Sequence, residues 1–156
     1  MKPDACITQV LPAPADVSLA VQEMGMKVLI IEDSRFLRLS NERALQQAGY
    51  EVIAAADGEE GLRLALERRP DLVILDLMLP KLPGHEVLRE LRQNPETACM
   101  PVMVVTSLPK SNERKILEQG ATSYFEKAGL LLDKGSELFV QNVRRMLSQS
   151  KAAAVR

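Results

Sequence analysis

Two adjacent acids, Glu32 and Asp33, close one apolar run of the sequence, and a third acid, Asp76, closes another. The hydroxyl of Thr106 and the ammonium of Lys127 stand at the ends of two further stretches of the same kind. Taken singly, each acid reads as a solvated strand-end or helix-cap residue. Brought together, three carboxylates repel one another and stay ionised at neutral pH only beside a hard cation such as Mg2+. That ion takes oxygen ligands and keeps several waters, so carboxylates, a backbone carbonyl and a phosphoryl oxygen suit it. A carboxylate can attack phosphorus to form an aspartyl phosphate while the cation and an ammonium spread the developing charge. Asp76 is the better nucleophile, because it stands alone at its strand end whereas Glu32 and Asp33 form a pair suited to holding the metal.

These residues converge only if the apolar runs are neighbouring strands. Lys27 to Ile31 and Leu72 to Leu75 are almost continuously apolar, the pattern of strands covered on both faces. Glu51 to Ala56, Pro101 to Thr106 and Ser123 to Glu126 read as three more. Helical stripes lie between them. Leu37, Ala44, Leu45 and Ala48 share one face over about 34 to 48, and Gly49 follows where a helix would end. Asp57 suits an N-cap for a helix carrying Leu62, Ala65 and Leu66, which Pro70 closes. Val87, Leu88 and Leu91 line a third helix, Pro109 to Gln119 form a fourth ended by Gly120, and Phe139, Val143, Met146 and Leu147 line a fifth starting at Glu137. This alternation predicts an α/β fold: a doubly wound five-stranded parallel sheet with helices on both faces. In such a sheet ligands bind at the carboxyl ends of the strands, where all five polar residues fall.

The remaining composition narrows the function. With 156 residues, 46% of them hydrophobic, the chain is sized for one domain with its own core. Its net charge of −1, with both signs interspersed, offers no long-range attraction to nucleic acid or an anionic membrane. Cys6 and Cys99 lack metal-ligand spacing and read as two free thiols. No run is long enough for a membrane span and residues 1–25 lack the pattern of a secretory signal, which places the chain in the cytoplasm. Residues 1–26, with Pro3, Pro12 and Pro14, read as a flexible extension, although Val17, Ala20, Val21 and Met24 share a helical stripe. Residues 27–149 form the domain, and 150–156 read as a mobile tail without a hydrophobic anchor.

In these motifs the chain resembles the receiver domains of bacterial response regulators, which have a flavodoxin-like fold. Glu32 and Asp33 match that family's metal-binding pair, and Asp76, within Leu-Asp-Leu-Met-Leu-Pro, its phosphorylation site. Thr106 matches the switch hydroxyl, Lys127 the lysine that contacts the phosphoryl group, and Tyr124 the aromatic that changes rotamer when the switch residue moves. Pro80 and Gly84 fall where the family shapes the loop after the acceptor, and the resemblance makes the backbone carbonyl of Met78 a further metal ligand. Two positions depart from the pattern: Ala128 replaces the proline usual after the lysine, and Ser107 replaces the alanine usual after the threonine. The triplet Leu130-Leu131-Leu132 is also unusual and reads as a local packing plug.

The resemblance implies a non-enzymatic switch in two-component phosphorelay signalling, with Mg2+ as cofactor. Its donor would be a histidine kinase or histidine phosphotransfer protein, and its output a contact with a downstream protein rather than nucleic acid or membrane. The alternative is a pseudo-receiver that only binds proteins, favoured by Ala128 and the loop after it. A phosphatase would carry a second acid two residues after the nucleophile, where this chain has Met78, and no glycine-rich turn after the first strand favours a dinucleotide. His85 reads as exposed and without a role.

Overall fold

The computed structural model describes residues 25–130 and 135–155. Most of the extension over residues 1–26, and Leu131 and Leu132 of the leucine triplet, lie outside the described residues. Five strands form one sheet in the order β2-β1-β3-β4-β5: β1 (Lys27–Ile31), β2 (Glu51–Ala55), β3 (Leu72–Leu75), β4 (Val102–Thr106) and β5 (Ser123–Glu126). All four pairings are parallel, as expected from the uninterrupted apolar runs.

Period-two alternation sorts the strand side chains onto two cores. Leu29, Ile31, Val73, Leu75, Val102 and Val104 face one side, where α2 (Gly58–Arg68), α3 (Gly84–Gln93) and α4 (Glu113–Glu118) supply Ala65, Val87, Leu88, Leu91 and Ile116. Val28, Ile30, Leu72, Ile74, Met103 and Val105 face the other, where α1 (Arg35–Gln47) contributes Leu45. The long last helix, Gly135–Val155, covers that face with Phe139, Val143, Met146 and Leu147; the short helix Lys127–Leu130 precedes it, making the two α5 and α6 in chain order. Each large aliphatic side chain so buried contributes about 1.5–3 kcal/mol.

Helix ends follow local chemistry. The Ser34 side chain accepts a hydrogen bond from Leu37 N at α1, and Asp57 accepts one from Glu60 N at α2. Ahead of Pro70, which disfavours a right-handed helical residue before it, α2 ends and Arg69 takes φ 45° as its left-handed C-cap. Arg92 near the end of α3 donates to the carbonyls of Met100 (2.7 Å), Gly120 (2.9 Å), Ala98 (3.2 Å) and Thr97 (3.3 Å). One guanidinium thereby ties the turn before β4 to the turn before β5.

Residues 150–155 continue α6, which runs to Val155 through Lys151 and three alanines, all strong helix formers. Two expectations are corrected. The segment after Pro109 is not one helix: it starts as a 3-10 turn at Lys110–Asn112 before α4, with no side-chain cap at either start. Cys99 is not a free thiol but is disulfide-bonded; it sits half-buried in a turn, within reach of the surface, rather than in the core. The other cysteine, Cys6, lies outside the described residues.

Candidate functional site

Register places the polar residues side by side. Ile31 pairs with Leu75, so the next residues, Glu32 and Asp76, emerge together from the carboxyl edge of β1 and β3. Thr106 pairs with Glu126, which brings Lys127 to the same edge. The chain reverses its winding direction between β1 and β3, the place where an open parallel sheet leaves a crevice. Backbone bonds continue the sheet past its formal ends: Glu32 N donates to Ala55 O (3.0 Å) and Asp76 N to Ile31 O (3.1 Å).

The three carboxylates do converge. Oxygens of Glu32, Asp33 and Asp76 lie within 4.8 Å of one another. Glu32 and Asp76 are buried, at 5% and 3% exposure, whereas Asp33 faces solvent. Lys127 Nζ bridges the buried pair, at 2.8 Å from Glu32 Oε1 and 2.8 Å from Asp76 Oδ2. The second oxygens are also satisfied: Glu32 Oε2 accepts from Ser34 N (3.0 Å) and Asp76 Oδ1 from Met78 N (3.2 Å). Arg38 on α1 donates to the Glu32 carbonyl (2.8 Å) and, at 3.4 Å, to that of Asp33, which pins the backbone of the acidic pair.

Electrostatics follow from burial and pairing. Desolvation raises the Glu32 carboxyl above its usual range and the Asp76 charge adds to this, although hydrogen bonds from Lys127 and Ser34 N pull the other way. For Lys127, burial alone would favour the neutral amine, but its hydrogen bonds to Asp76 and Glu32 and their charges outweigh this, and its ammonium is held above the usual lysine range. Two buried anions facing one ammonium, with a third carboxylate beside them, form an oxygen-only donor set that a hard divalent cation fits.

Thr106 is fully buried, and its Oγ1 accepts from Leu108 N at 3.3 Å. The Tyr124 ring, 5% exposed, donates its hydroxyl to Pro109 O (2.9 Å) and Leu108 O (3.2 Å). Leu108 therefore touches both residues through its backbone. Tyr124 is part of the buried core on that face of the sheet. Burial, then the charges of Glu126 and Glu113, raise its phenol above the usual range. An open groove of about 720 Å³ at the mouth of the site is lined by Asp33, Met78, Pro80, Leu108 and Lys115, with His85 at its edge. His85 is exposed, as expected. A second cavity, of about 50 Å³, lies beside Glu32 and Lys127 and is lined by Leu37, Ile74 and Phe139.

The model of the response regulator receiver domain matches residues 28–131. The chain belongs to the response regulator receiver family. Among relatives, it is 38% identical over 105 residues to the alkaline phosphatase synthesis transcriptional regulatory protein PhoP of Bacillus subtilis, covering 67% of this chain and 43% of that protein. This chain thus spans less than half the length of that relative. Chemotaxis response regulator CheY4 of Vibrio cholerae superposes with a TM-score of 0.70 at 29% identity, covering 79% of this chain and 99% of that one. The Mn(2+)-bound form of response regulator Rcp1 superposes with a TM-score of 0.66 at 28% identity, covering 73% and 88%. The receiver is a signalling module of two-component systems, and among the described residues no helix is long and apolar enough to cross a membrane.

Sequence reasoning about this receiver missed the supporting residues. The Arg38 guanidinium holds backbone carbonyls, while Leu108 and the start of α2 act through their own backbone atoms, and no residue type or spacing signals those roles. The proline replaced by Ala128 has a visible structural counterpart: Lys127 opens the short helix α5, and all described peptide bonds are trans.

Proposed function

We propose that Asp76 accepts a phosphoryl group from a histidine kinase or histidine phosphotransfer protein, and that the domain transmits its state by protein contact. The observation that carries this reading is the position of Asp76: buried at the end of β3, one oxygen on Lys127, the other on Met78 N, among the carboxylates of Glu32 and Asp33. Glu32, Asp33 and Asp76, with the Met78 carbonyl by family resemblance, would hold Mg2+. Bound there, the ion neutralises the carboxylates and the charge of the transferring group.

In the transfer, an Asp76 oxygen bonds to phosphorus as the bond to the donor's imidazole nitrogen breaks, and that nitrogen keeps the electron pair. Lys127, already on Asp76, is placed to follow the new phosphoryl oxygens. A nearly dianionic group at Asp76 would draw the Thr106 hydroxyl from Leu108 N, and through Leu108 loosen or tighten the carbonyls that hold Tyr124. Protein contact is the assigned output because the net charge of −1 gives nucleic acid no long-range attraction to this domain. Relatives named as transcriptional regulators extend well beyond the matched segment.

The test is labelling by acetyl phosphate with and without Mg2+. Stoichiometric label that needs Mg2+ is expected. No label in Mg2+ would leave the pseudo-receiver reading, for which Ala128 is the supporting departure.

A further inference from the structure

The chain after Asp76 is held at both ends by glycines that leave no room for a β-carbon. At Gly84, the first residue of α3, a β-carbon would lie 2.2 Å from the Asp76 carbonyl oxygen and 2.5 Å from Leu77 Cα. Gly84 N also donates to Leu77 O at 3.0 Å. At Gly58, the first residue of α2, a β-carbon would lie 1.8 Å from the Leu82 carbonyl oxygen and 2.8 Å from its carbon. Gly58 N donates to Pro80 O at 3.3 Å. Between these points Lys81 adopts φ 67°, a left-handed conformation unfavourable for a residue with a side chain, and its ammonium lies 3.4 Å from Asp57 Oδ2. The start of α2 is thus a wall against which Pro80 to Leu82 is pressed.

This wall bears on the acidic site. Leu77 is buried and Leu82 packs on the core, so neither end of the segment can retreat. Between them Leu79 also packs on the core and the Pro80 carbonyl accepts from Gly58 N and Leu82 N, whereas Met78 is 57% exposed and tied inward by its N–H bond to Asp76 Oδ1. A push on the Leu82 carbonyl at Gly58 passes along this short, packed segment toward Met78, its most exposed residue. Mg2+ tolerates little distortion of its ligand geometry.

We infer that Gly58 is a positioning residue: the backbone of Asp57 and Gly58 sets where Met78 stands beside Asp76, and so sets the divalent-cation affinity of the acidic cluster. The inference rests on the reading of Glu32, Asp33 and Asp76 as a metal centre. It makes α2, which contributes no side chain to the cluster, part of the site's calibration.

The experiment measures Mg2+ affinity by calorimetry and by amide NMR for the full chain and for Gly58→Ala, with Gly61→Ala as the control. The nearest atoms to a β-carbon at Gly61 are those of the Ile31 side chain, at 2.5–2.8 Å, so that variant disturbs packing of α2 on β1 rather than on the segment after Asp76. Gly58→Ala is expected to weaken Mg2+ binding at least fivefold, and Gly61→Ala to lower Tm while changing affinity less than twofold. Equal affinity in Gly58→Ala, or equal weakening in both variants, overturns the inference. Should Gly58→Ala not fold, the wild-type titration decides. The amides of Gly58 and Leu82 are expected to shift with the same midpoint as Met78, because coupling is reciprocal. Silent Gly58 and Leu82 amides overturn it. A wild-type chain that binds no Mg2+ refutes the metal centre itself, whereas wild-type binding with an unaffected Gly58→Ala refutes only the role of Gly58.

Discussion

Replacing Lys127 with methionine keeps the stem of the side chain and removes the one cation between two buried carboxylates. Side-chain exposure is 15% for Lys127, 6% for Glu32 and 3% for Asp76, and both ion pairs are 2.8 Å long. At an effective dielectric constant of about 20, each pair is worth roughly 6 kcal/mol before desolvation. Desolvation offsets much of this, and breaking one side of a buried pair costs about 3–5 kcal/mol. The variant can escape part of that cost by protonating Glu32, whose carboxyl burial already holds above its usual range and which would lose the hydrogen bond that most opposes this. The sign follows from proton counting. Between the ordinary glutamate value and the raised native one, the folded chain binds more protons than the unfolded, so stability falls as pH rises through that window. Lys127 itself, raised above the lysine range, is charged at both pH 5 and pH 8, and its contribution is lost only as pH rises through its own raised value. In urea unfolding followed by circular dichroism with EDTA, Lys127→Met should lose about 3 kcal/mol at pH 8. At pH 5 it should lose less by about 1.4 kcal/mol for each pH unit over which Glu32 stays protonated. Saturating Mg2+ should restore stability to the variant at pH 8. A loss under about 0.5 kcal/mol at pH 8, or the same loss at both pH values, would refute the bridging role.

Two further outcomes are expected. Arg92→Met should cost about 3 kcal/mol, roughly 10 °C in Tm, because four carbonyls lose a charged donor, while labelling of Asp76 is retained; thermal melts and acetyl-phosphate labelling check both halves. Self-dephosphorylation should be slow, since Met78 and Leu108 line the groove through which an attacking water must come and neither can orient it. Met78→Asn with Leu108→Glu should accelerate loss of phosphate in Mg2+, and an unchanged decay would remove these side chains from control of the water.

The fold was legible because the apolar runs of β1 and β3 admit only strands covered on both faces, and the polar residues ending them admit only one edge. Glu32, Asp33 and Asp76 were read from those strand ends, Lys127 from its order among them and from the family resemblance, and the structure brings all four together. Less legible was what depends on backbone approach. That Gly58 lies against Leu82 rather than serving only as a helix start needs two loops distant in sequence to meet, which no local pattern encodes. The extent of α6 was hard to read for a different reason: the sequence past Ser150 carries no apolar stripe, and an alanine-rich end continues a helix on intrinsic propensity. Not legible either was what holds Tyr124 in its present place, because its rotamer is set by the Leu108 and Pro109 carbonyls and not by residue type.

The central claim is that Asp76 carries the phosphoryl group. Its most direct test is borohydride reduction of the acetyl-phosphate-labelled chain followed by peptide mass spectrometry, which converts an aspartyl phosphate to homoserine at the labelled position. Homoserine at residue 76, dependent on Mg2+ and absent from Asp76→Asn, is the expected result. Reduction at Asp33 or Glu32, or label that survives in Asp76→Asn at the same stoichiometry, would contradict it.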